Sequence, residues 1–573
     1  MTLRPTTFRP ETTWYLGLST SGHDPALAIA DETGRIRFAE ATERFVQDKR
    51  AWGIAPDHVN HLEHALKVCG ADPERDRFVV ATSWKSVKAA LDISVHDAML
   101  PATDTLWIRG LQAGLQAGAG TNLLRLGVED ARRETLHFDH HLCHAATAAY
   151  FAPVDDAVNL VLDGEGEVGA ASLFSMSGRR LTRKWRSWGP GSLGTFYAWL
   201  TFHCGFDWRL GEEWKVMGLA AYGTVLPDLM NELTGLLSAD RGRLKFTDDR
   251  TIAAIDALTR AHARAPGAPV MDGADLAATG QAAYAALADL VISAVREDGV
   301  PDLLLSGGCA LNSSYNGTIA GRLGFERLHV PPCPADDGNA IGAALLAFMQ
   351  DRDEEAVPQS PDASPFLGTT PERALERKMM FAANGLVVAN VAGRSADVVA
   401  GRLSQGRVIG VMRGAAEFGP RALGHRSILA DPTYPGIKDR INAEIKGREP
   451  YRPLAPVVPE AEVGDWFERP QPSPYMSVTL PWRNAVRDLV PSVVHADGTG
   501  RLQTVSPETQ PWMSGLLEAL RRTSGAPVAL NTSLNVMGKP IAHSVEDALA
   551  ILATTGLDGV LCEDFLVEKP VVD

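Results

Sequence analysis

The chain lacks the features that would place it outside the cytosol. Its six cysteines lie far apart and include no C-x-x-C pair, which argues against a disulfide framework and against a structural zinc site. No stretch approaches the roughly 20 uninterrupted apolar residues of a membrane span. Residues 1–13 also lack the apolar run and cleavage site of a secretory signal. We therefore expect a cytosolic protein with reduced cysteines and no membrane partner.

Basic residues are scarce relative to acidic ones. The chain has 55 lysines and arginines against 70 aspartates and glutamates, a formal net charge of −15. An acidic balance repels phosphate backbones, so we expect no nucleic-acid partner. The 573 residues, 45% of them hydrophobic, are otherwise those of a globular protein of about two to four domains.

One segment, 351–372, has the composition of a linker. It carries four prolines and six acids between two well-patterned regions. We therefore predict a first domain over residues 1–350, a linker over 351–372 and a second domain over 373–573.

The first half contains two copies of a pattern of strand, polar turn, strand, turn and strand. The predicted strands are 14–18, 25–30 and 36–43 in one copy and 158–162, 170–176 and 181–188 in the other. Such a repeat predicts a duplicated α/β domain of the actin-like kind, with its site between the lobes. His23 and Asp24 lie in the first inter-strand turn, where a base can face a ligand cleft. A lone histidine in a turn is more often a surface residue.

Two histidines and two aspartates are candidate metal ligands. A helix is predicted where the alanines of HHLCHAA begin, so His140 and His144, at i and i+4, share one face about 6 Å apart. Asp163 follows a strand, and Asp336 lies in PPCPADDG; both positions are tips where α/β folds build sites. Imidazoles with carboxylates suit iron(II) or manganese. The alternative is a helix start with polar histidines and turn-forming aspartates.

Glycines directly after the strand at 303–305 form a second candidate. In SGGCALN, Gly307 and Gly308 leave backbone N–H groups free to approach a phosphate, although many such junctions use glycine only for the bend. Lys215 precedes a predicted helix of small residues and is either a ligand contact or a solvated lysine.

A basic island interrupts the acidic second half. Between Arg413 and Arg452 there are eight lysines or arginines against five acids, which indicates an anion site. Arg421 follows a glycine and a proline, so a rigid turn fixes its position. Lys446, Arg448, Arg452 and Arg501 can bind phosphate or carboxylate oxygens in the same region, and Asn531 and Ser533 follow a strand. A solvated basic face paired with its acids is the alternative.

Together these motifs resemble the antibiotic and nodulation O-carbamoyltransferases, the family that includes the tobramycin carbamoyltransferase. The matching motifs run in family order over nearly the whole chain. They are HHLCHAA (140–146), LDGEGE (162–167), KVMGLAAYG (215–223), SGGCALN (306–312), PPCPADDG (331–338), EFGPRALGHRS (417–427), KGREPYRP (446–453) and LNTSLN (530–535).

The resemblance implies both fold and activity. The first domain would be similar to the threonylcarbamoyl transferase that modifies tRNA, with an actin-like fold, and the second to threonylcarbamoyl-AMP synthase, with a YrdC-like α/β fold. The second domain would form carbamoyl-adenylate and pyrophosphate from carbamoyl phosphate and ATP, with magnesium accompanying the ATP. The first domain would then transfer the carbamoyl group to a hydroxyl of a small natural product.

Individual residues take roles by the same resemblance. His140, His144, Asp163 and Asp336 would bind iron(II), with manganese or another divalent ion as the alternative. Arg421 and Lys446 would act in adenylation, and Arg448, Arg452, Arg501, Asn531 and Ser533 would help to bind carbamoyl phosphate and ATP. His23, supported by Asp24, would be the base for the acceptor hydroxyl. Lys215, Gly307, Gly308 and Asn312 would hold the adenylate at the second site.

One departure and several rival interpretations accompany the resemblance. Lys539 stands where the family usually has glutamate, which leaves the role of that position open. A tRNA-modifying fusion would need a basic RNA face, and a hydrogenase-maturation carbamoyltransferase would need cysteine-rich zinc modules. An actin-like ATPase or sugar kinase would leave the basic island unused, and a non-catalytic nucleotide-binding scaffold would not require ligand residues in both halves.

Overall fold

A computed structural model describes residues 11–85, 102–188, 191–359, 363–371, 375–383 and 385–570. The described residues form a mixed α/β structure built on three large sheets and one hairpin. The strands of the first sheet are β1 (Thr13–Leu18), β2 (Ala26–Ala30), β3 (Ile36–Ala41), β4 (Arg77–Thr82) and β5 (Arg133–His137). Those of the second sheet and the hairpin are β6 (Ala157–Leu162), β7 (Ala171–Ser177), β8 (Arg180–Arg186), β9 (Leu237–Asp240), β10 (Arg243–Phe246), β11 (Asp302–Ser306) and β12 (Arg327–His329).

The helices of this first half number α1 to α12 in chain order. They are α1 (Thr42–Val46), α2 (Val59–Cys69), α3 (Ala102–Gly118), α4 (Thr121–Arg125), α5 (His140–Phe151), α6 (Leu193–His203), α7 (Glu213–Ala220), α8 (Pro227–Thr234), α9 (Asp249–Ala261), α10 (Ala274–Ala294), α11 (Ser313–Asn316) and α12 (Asn339–Arg352).

The second half contributes the third sheet and the remaining helices. Its strands are β13 (Val387–Asn390), β14 (Ile409–Met412), β15 (Arg426–Ala430), β16 (Ala455–Pro459), β17 (Val478–Pro481), β18 (Thr499–Val505), β19 (Ala529–Ser533), β20 (Gly559–Cys562) and β21 (Phe565–Glu568). Its helices are α13 (Leu375–Ala382), α14 (Ser395–Leu403), α15 (Ile437–Arg440), α16 (Val463–Trp466), α17 (Pro511–Ser524) and α18 (Val545–Thr554).

The first two sheets have the same topology. In the order β3-β2-β1-β4-β5, the strands β1 to β3 form an antiparallel meander, and β4 and β5 follow β1 in parallel. The order β8-β7-β6-β11-β12 repeats this arrangement strand for strand. The predicted duplication of an α/β unit is thereby confirmed, with strand bounds close to those expected from the sequence.

Helices α5 and α12 pack between these two sheets. One apolar core combines side chains of β1 and β2, of both helices, and of β6, β7 and β11. The helices approach closely because small residues face each other: a Cβ on Gly342 of α12 would lie 2.0 Å from the carbonyl oxygen of Cys143 in α5. Likewise, a Cβ on Gly17 of β1 would lie 1.8 Å from the carbonyl oxygen of Ala340. Both helices consequently begin at the same place, in the cleft between the sheets.

The third sheet is mixed, with strand order β13-β21-β20-β14-β15-β19-β16-β18-β17. Helices α14 and α17 cover one face, where Val399 and Leu516 pack on Ile409. Helices α15 and α18 contribute to the apolar core that contains Ile428. One wide turn of π-helix, Ile441–Lys446, follows α15 directly. Such turns are uncommon and are often found at functional sites.

Three local expectations differ from the structure. Lys215 lies inside the first turn of α7 rather than ahead of that helix. The third predicted strand, 36–43, ends at Ala41 because α1 begins at Thr42. The first two residues of the predicted linker, Asp351 and Arg352, are the last two of α12. Propensity alone does not define such boundaries, which shift by one or two residues with packing.

One helix among the described residues is long and apolar enough to cross a membrane by composition. It spans Val270–Ala294, and 61% of its most apolar window is buried within the protein. Its residues Leu276, Tyr284 and Leu287 belong to the core that also includes strands of the second sheet. The same composition is found in core helices of globular proteins, so the helix is weak evidence of a membrane span.

The close contact between β1 and α12 provides a test of this architecture. Gly17→Ala would place a methyl group against a backbone carbonyl, and overpacking of that kind typically costs about 1 to 3 kcal/mol. We expect a lower unfolding midpoint in urea. Gly114→Ala is the matched control, since Gly114 lies in α3 with nothing within 4 Å of its added Cβ. That change should leave the midpoint unchanged or raise it. Equal midpoints for both variants would contradict the close packing.

Candidate active site

Two histidines and two aspartates meet where α5 and α12 begin. His140 and His144 lie on the first turns of α5, Asp163 follows β6, and Asp336 lies in the 3-10 turn that leads into α12. Each of the four residues offers one ligand atom, and these atoms all lie within 4.8 Å of one another. We call these four residues the His–Asp quartet.

The distances within the quartet are those of groups that converge on one point. Nε2 of His140 lies 3.0 Å from Oδ2 of Asp163 and 3.6 Å from Oδ1 of Asp336. Nε2 of His144 lies 3.3 Å and 3.5 Å from the same two oxygens. The two imidazole centroids are 4.8 Å apart, as the i and i+4 spacing predicts.

The quartet is buried, and its charges depend on each other. Burial alone would lower the pKa of His140, but the carboxylates of Asp336 and Asp163 raise it well above its ordinary value. Burial would raise the pKa of Asp336, but the two imidazoles, His140 first, lower it well below its ordinary value. Nε2 of His144 has no hydrogen-bond partner among the described residues. A divalent cation between the carboxylates and imidazoles would satisfy all four groups.

Neighbouring side chains fix the orientation of His140. Nδ2 of Asn339 lies 3.2 Å from Nδ1 of His140, and the indole of Trp84 stacks on the imidazole at 4.6 Å. The carboxylate of Glu167, from the LDGEGE motif, accepts a hydrogen bond of 3.0 Å from the backbone N–H of His140. The Asn339 and Trp84 contacts restrain the ring, and the Glu167 bond restrains the backbone at the start of α5.

His23 lies beside the quartet with its ring oriented by a carboxylate. Nδ1 of His23 is 2.9 Å from Oδ2 of Asp24, and Nε2 is 3.8 Å from Oδ2 of Asp336. Arg50 contacts Oδ2 of Asp24 at 2.8 Å and Nδ1 of His23 at 3.0 Å. A guanidinium only donates and a carboxylate only accepts, so all three groups are satisfied when Nδ1–H and Arg50 both donate to Asp24. The lone pair of Nε2 then faces the quartet.

The glycine loop after β11 closes the quartet from another side. Gly307 has a φ of 87°, and a Cβ there would lie 2.2 Å from the carbonyl oxygen of Leu162. The backbone N–H of Gly308 donates to Oδ1 of Asp163 at 2.9 Å. The side chain of Asn312 caps α11 and pairs with Gln281. The loop therefore positions a quartet carboxylate, while the amide of Asn312 is already bonded within the protein.

The second half gathers the cations predicted from the basic island. Arg421 lies in the turn before β15, Lys446 ends the π-helical turn, Arg448 follows it, and Arg501 lies in β18. We call these four residues the cation cluster. Burial and the positive charges of Arg421 and Arg448 lower the pKa of Arg501 well below its ordinary value. Burial and the charges of Arg448 and Arg452 do the same to the pKa of Lys446. The structure thus brings residues from three separate segments into one electrostatic neighbourhood.

Counter-charges are scarce around the cation cluster. Within the described part of the chain, none of its four members forms an ion pair with a carboxylate. Burial lowers the pKa of Arg421 to about 10. Burial, together with the charge of Arg452, lowers the pKa of Arg448 to about 9. A guanidinium remains charged in proteins, so these lowered pKa values reflect the cost of burying positive charge, which the nearby Glu449 offsets only in part at Arg448. Such a site attracts anions.

Hydrogen bonds to Ser533 and Asn535 hold Lys446 in the cation cluster. Nζ of Lys446 contacts the backbone oxygen of Ser533 and donates to Oγ of Ser533 at 3.2 Å and Oδ1 of Asn535 at 2.6 Å. The amide of Asn535 in turn donates to the backbone oxygen of Lys539 at 2.7 Å. A backbone contact is independent of side-chain type, so the basic residue at 539 does not disturb this support.

Asn531 plays a different part from that expected. Its Nδ2 donates to the backbone oxygen of Ala422 at 3.0 Å and to Oε1 of Gln503 at 2.8 Å. Both amide hydrogens are therefore used within the protein. The residue supports the turn that carries Arg421 rather than presenting a donor to a ligand.

The two halves meet between the quartet and the cation cluster. The guanidinium of Arg452 lies 3.4 Å above the ring of Trp214, and Nζ of Lys215 is 3.9 Å from Oε1 of Glu449. A small cavity also lies on this boundary between the halves, which we call the seam. It is lined by Ala310, Leu311, Val330, Pro331, Pro332 and Pro334 from the first half and by Pro420, Arg421, Tyr475, Met476 and Ser477 from the second. Lys215, Arg421 and Arg452 thus lie at the boundary of the two halves.

Several residues of this region were missed by sequence reasoning. Arg50, Trp84 and Asn339 contact His23 or His140 from distant parts of the chain. Arg50 has a φ of 61°, which is rare for a residue other than glycine. Neither this backbone conformation nor these contacts can be predicted from the local sequence, because each depends on the packing of separate elements.

The family models and curated relatives agree on one family. Residues 14–345 match the model described as carbamoyltransferase N-terminus, and residues 400–569 match carbamoyltransferase C-terminus. An uncharacterized protein of Synechocystis sp. is 31% identical, over 97% of each chain. Nodulation protein NolNO of Sinorhizobium fredii is 34% identical, over 83% of this chain and 69% of that protein. Nodulation protein U of the same species is 29% identical, over 96% and 98%.

Metal content tests the quartet directly. We expect the protein, dialysed against iron(II) or manganese without oxygen, to retain about one ion per chain. Removing a ligand typically costs far more than the 10- to 100-fold loss of affinity seen when a ligand's outer partner is removed, so His144→Ala or Asp163→Asn should reduce retention strongly. His203→Ala is the control, because His203 is a buried histidine paired with Asp256 away from the quartet. Equal retention by all variants would contradict the assignment.

Proposed function

The chain belongs to the carbamoyltransferase family, and on that premise we propose that it is an ATP-dependent O-carbamoyltransferase with one reaction site in each half. The observation that carries the proposal is the cation cluster, which pairs with no carboxylate among the described residues and lies across a seam from the His–Asp quartet. Positive charge without compensation suits two polyanionic substrates, carbamoyl phosphate and ATP. The quartet suits a divalent cation beside a base.

The first reaction forms a mixed anhydride. Carbamoyl phosphate, one water and ATP give carbamoyl-adenylate, phosphate and pyrophosphate. Water cleaves carbamoyl phosphate to carbamate and phosphate; a carbamate oxygen then bonds to the α-phosphorus of ATP, and pyrophosphate leaves with the electron pair of the bond that joined it to that phosphorus. Negative charge develops on the oxygens around the α-phosphorus and on the leaving pyrophosphate. Arg421, Lys446 and Arg501 provide fixed positive charge there, and magnesium would accompany the ATP.

The second reaction transfers the carbamoyl group to an alcohol. The hydroxyl oxygen bonds to the carbamoyl carbon, AMP leaves with the electron pair of its C–O bond, and Nε2 of His23 accepts the hydroxyl proton. Asp24 holds the required tautomer through Nδ1, and Arg50 holds Asp24. A metal ion held by the quartet, iron(II) or another divalent ion, would supply Lewis acidity toward an oxygen of the adenylate.

We infer that the intermediate passes across the seam between the halves. Carbamoyl-adenylate is labile to water, so it is best kept enclosed between the two reactions. Lys215 and the loop around Gly307 lie on the first-half side of that seam, and Arg452 lies on the other. We place adenylate binding during transfer at this position. The cytoplasm, which supplies ATP, is the expected compartment.

The acceptor is proposed to be a hydroxyl-bearing natural product. The aromatic rings of Trp52 and Trp107 lie 4.6 Å apart, and Trp52 is 5.0 Å from the His23 ring. Trp107 is exposed, so part of this surface is open beside the proposed base. Flat apolar surfaces of this kind suit sugar rings and polyketides. A sugar kinase or ATPase is a weaker alternative because it would leave the cation cluster without a substrate.

Exchange of labelled pyrophosphate into ATP separates the two reactions. Arg421→Met or Lys446→Met should reduce carbamoyl-phosphate-dependent exchange by about a hundredfold or more, because fixed charge is lost from the reacting phosphates. His140→Ala or Asp163→Asn should preserve exchange but abolish carbamoylation of an alcohol, measured by the mass increase of the acceptor.

Arg440→Met is the matched control for the exchange assay. Arg440 belongs to the same basic island but is paired with Asp558 at 2.9 Å, so its replacement should leave exchange nearly unchanged. Loss of exchange in folded His140 or Asp163 variants, to the extent seen for Arg421→Met, would contradict two separate sites and favour a single composite one.

The role of His23 is tested by single-turnover carbamoyl transfer. His23→Gln should slow the transfer step by about a hundredfold, a typical contribution of a positioned base. Pyrophosphate exchange should continue, since His23 belongs to the first half. His64→Gln is the control, because His64 hydrogen-bonds Thr369 away from the quartet. A transfer rate equal to that of the parent protein, under conditions where chemistry limits turnover, would remove His23 from the mechanism.

A further inference from the structure

Arg44 reaches from the first half into the turn that carries Arg421. It lies in α1, and its side chain is 4% exposed. Nη1 donates to the backbone oxygen of Glu417 at 2.5 Å, and Nη2 donates to that of Gly419 at 2.6 Å. One guanidinium thus holds two carbonyl groups on either side of Phe418. A planar fork can do this, whereas the single ammonium of a lysine cannot reproduce the geometry.

The turn from Glu417 to Gly424 has its own internal support on the opposite side. Oε1 of Glu417 accepts hydrogen bonds from the backbone N–H groups of Leu423 at 2.6 Å, Arg426 at 3.2 Å and His425 at 3.3 Å. These bonds close the turn but do not fix its position relative to the first half. The Arg44 bonds supply that second constraint.

The turn also packs tightly on the first half. Gly419 has a φ of 117°, and a Cβ there would lie 2.2 Å from the backbone oxygen of Pro332. Pro332 belongs to the loop that leads to Asp336 of the quartet. The turn is therefore held between Arg44 on one side and the Pro332 loop on another, and small displacements would be transmitted to Arg421.

Two further contacts anchor the neighbourhood of Arg44 to the second half. Oε2 of Glu40 is 3.2 Å from Nε2 of His543, and Nε2 of Gln47 donates to the backbone oxygen of Ile541 at 3.2 Å. Glu40 precedes α1, and Gln47 follows it directly. Arg44 thus lies in the middle of a short segment that contacts the second half at three places.

Arg421 depends on its turn because little else holds it. Among the described residues, its guanidinium has no hydrogen bond or ion pair, and the nearby charge of Arg501 repels it. Its direction is set by the backbone of residues 419–421, where Gly419 permits a φ of 117° and Pro420 has a restricted φ. An error of about 1 Å in such a placement can cost about a hundredfold in rate.

We propose that Arg44 is a positioning residue of the adenylation reaction, which sets the Arg421 turn from the opposite half of the chain. The role rests on the proposed function, since it assumes that Arg421 binds reacting phosphates. It also makes formation of the adenylate dependent on correct docking of the transfer half. Carbamoyl-adenylate would then form efficiently only when the transfer site of the first half is correctly docked on the second half.

The test uses the full chain with Arg44→Met, Arg44→Lys and a control, Arg132→Met. Arg132 is also a buried arginine of the first half that donates to backbone carbonyls, those of Pro73 at 2.5 Å and Asp76 at 3.1 Å, but far from the seam. Two measurements are made on each variant. One is carbamoyl-phosphate-dependent pyrophosphate exchange, and the other is hydrogen–deuterium exchange of peptides covering residues 417–426.

We expect Arg44→Met to reduce pyrophosphate exchange by about tenfold to a hundredfold and to increase deuterium uptake in the turn selectively. Arg44→Lys should fall between the parent protein and Arg44→Met in both measurements. Arg132→Met should change neither, although it should lower the unfolding midpoint to a similar extent. If Arg44→Met does not fold, the graded effect of Arg44→Lys decides between the outcomes.

Other outcomes would overturn the proposal. Parent-like pyrophosphate exchange in a folded Arg44→Met variant would show that the turn does not need Arg44. Reduced exchange with unchanged deuterium uptake at 417–426 would show that Arg44 acts by some route other than positioning. If the parent protein shows no exchange at all, the proposed function fails, whereas deuterium uptake in the turn still decides whether Arg44 holds it.

Discussion

The close approach of α5 and α12 is the constraint on which the arrangement of the first half depends. Gly342 lies against the backbone of Cys143, so the two helices pack without intervening side chains and begin at one level of the cleft. His140 and His144 on α5 thereby meet Asp336 ahead of α12, while Asp163 arrives from the end of β6. A larger residue at the helix contact would separate these ligand atoms even if every one of them were retained.

The charges at the site in the second half are not balanced as those of the quartet are. The quartet balances two imidazoles with two carboxylates, whereas no described carboxylate forms an ion pair with a member of the cation cluster. Burying unpaired charge costs free energy, and that cost is recovered when an anion binds. A site of this kind is selective for highly charged ligands, because a weakly charged one would leave most of the repulsion in place.

The sequence allowed much of this to be predicted where the signal is local. Helical spacing predicted that His140 and His144 share a face, and alternating apolar runs predicted the duplicated strands. Contacts between distant segments left no such signal. Arg50 beside His23 and Arg44 beside Glu417 act through packing of separate elements, and Asn531 supports a turn although its position after a strand favoured ligand binding. The YrdC-like assignment of the second half remains a prediction from the resemblance, and the actin-like assignment of the first half remains a prediction from the strand pattern and the resemblance.

The phosphorus products of ATP test the central claim, adenylation of the carbamoyl group, most directly. Phosphorus NMR of the protein with carbamoyl phosphate, ATP, magnesium and iron(II), in the presence of an accepted alcohol, distinguishes cleavage at the α-phosphorus from cleavage at the γ-phosphorus. The account predicts AMP, pyrophosphate and phosphate in equal amounts, matched by the carbamoylated alcohol. Formation of ADP in place of AMP and pyrophosphate would contradict it and would indicate phosphoryl transfer of the kind that a kinase or ATPase performs.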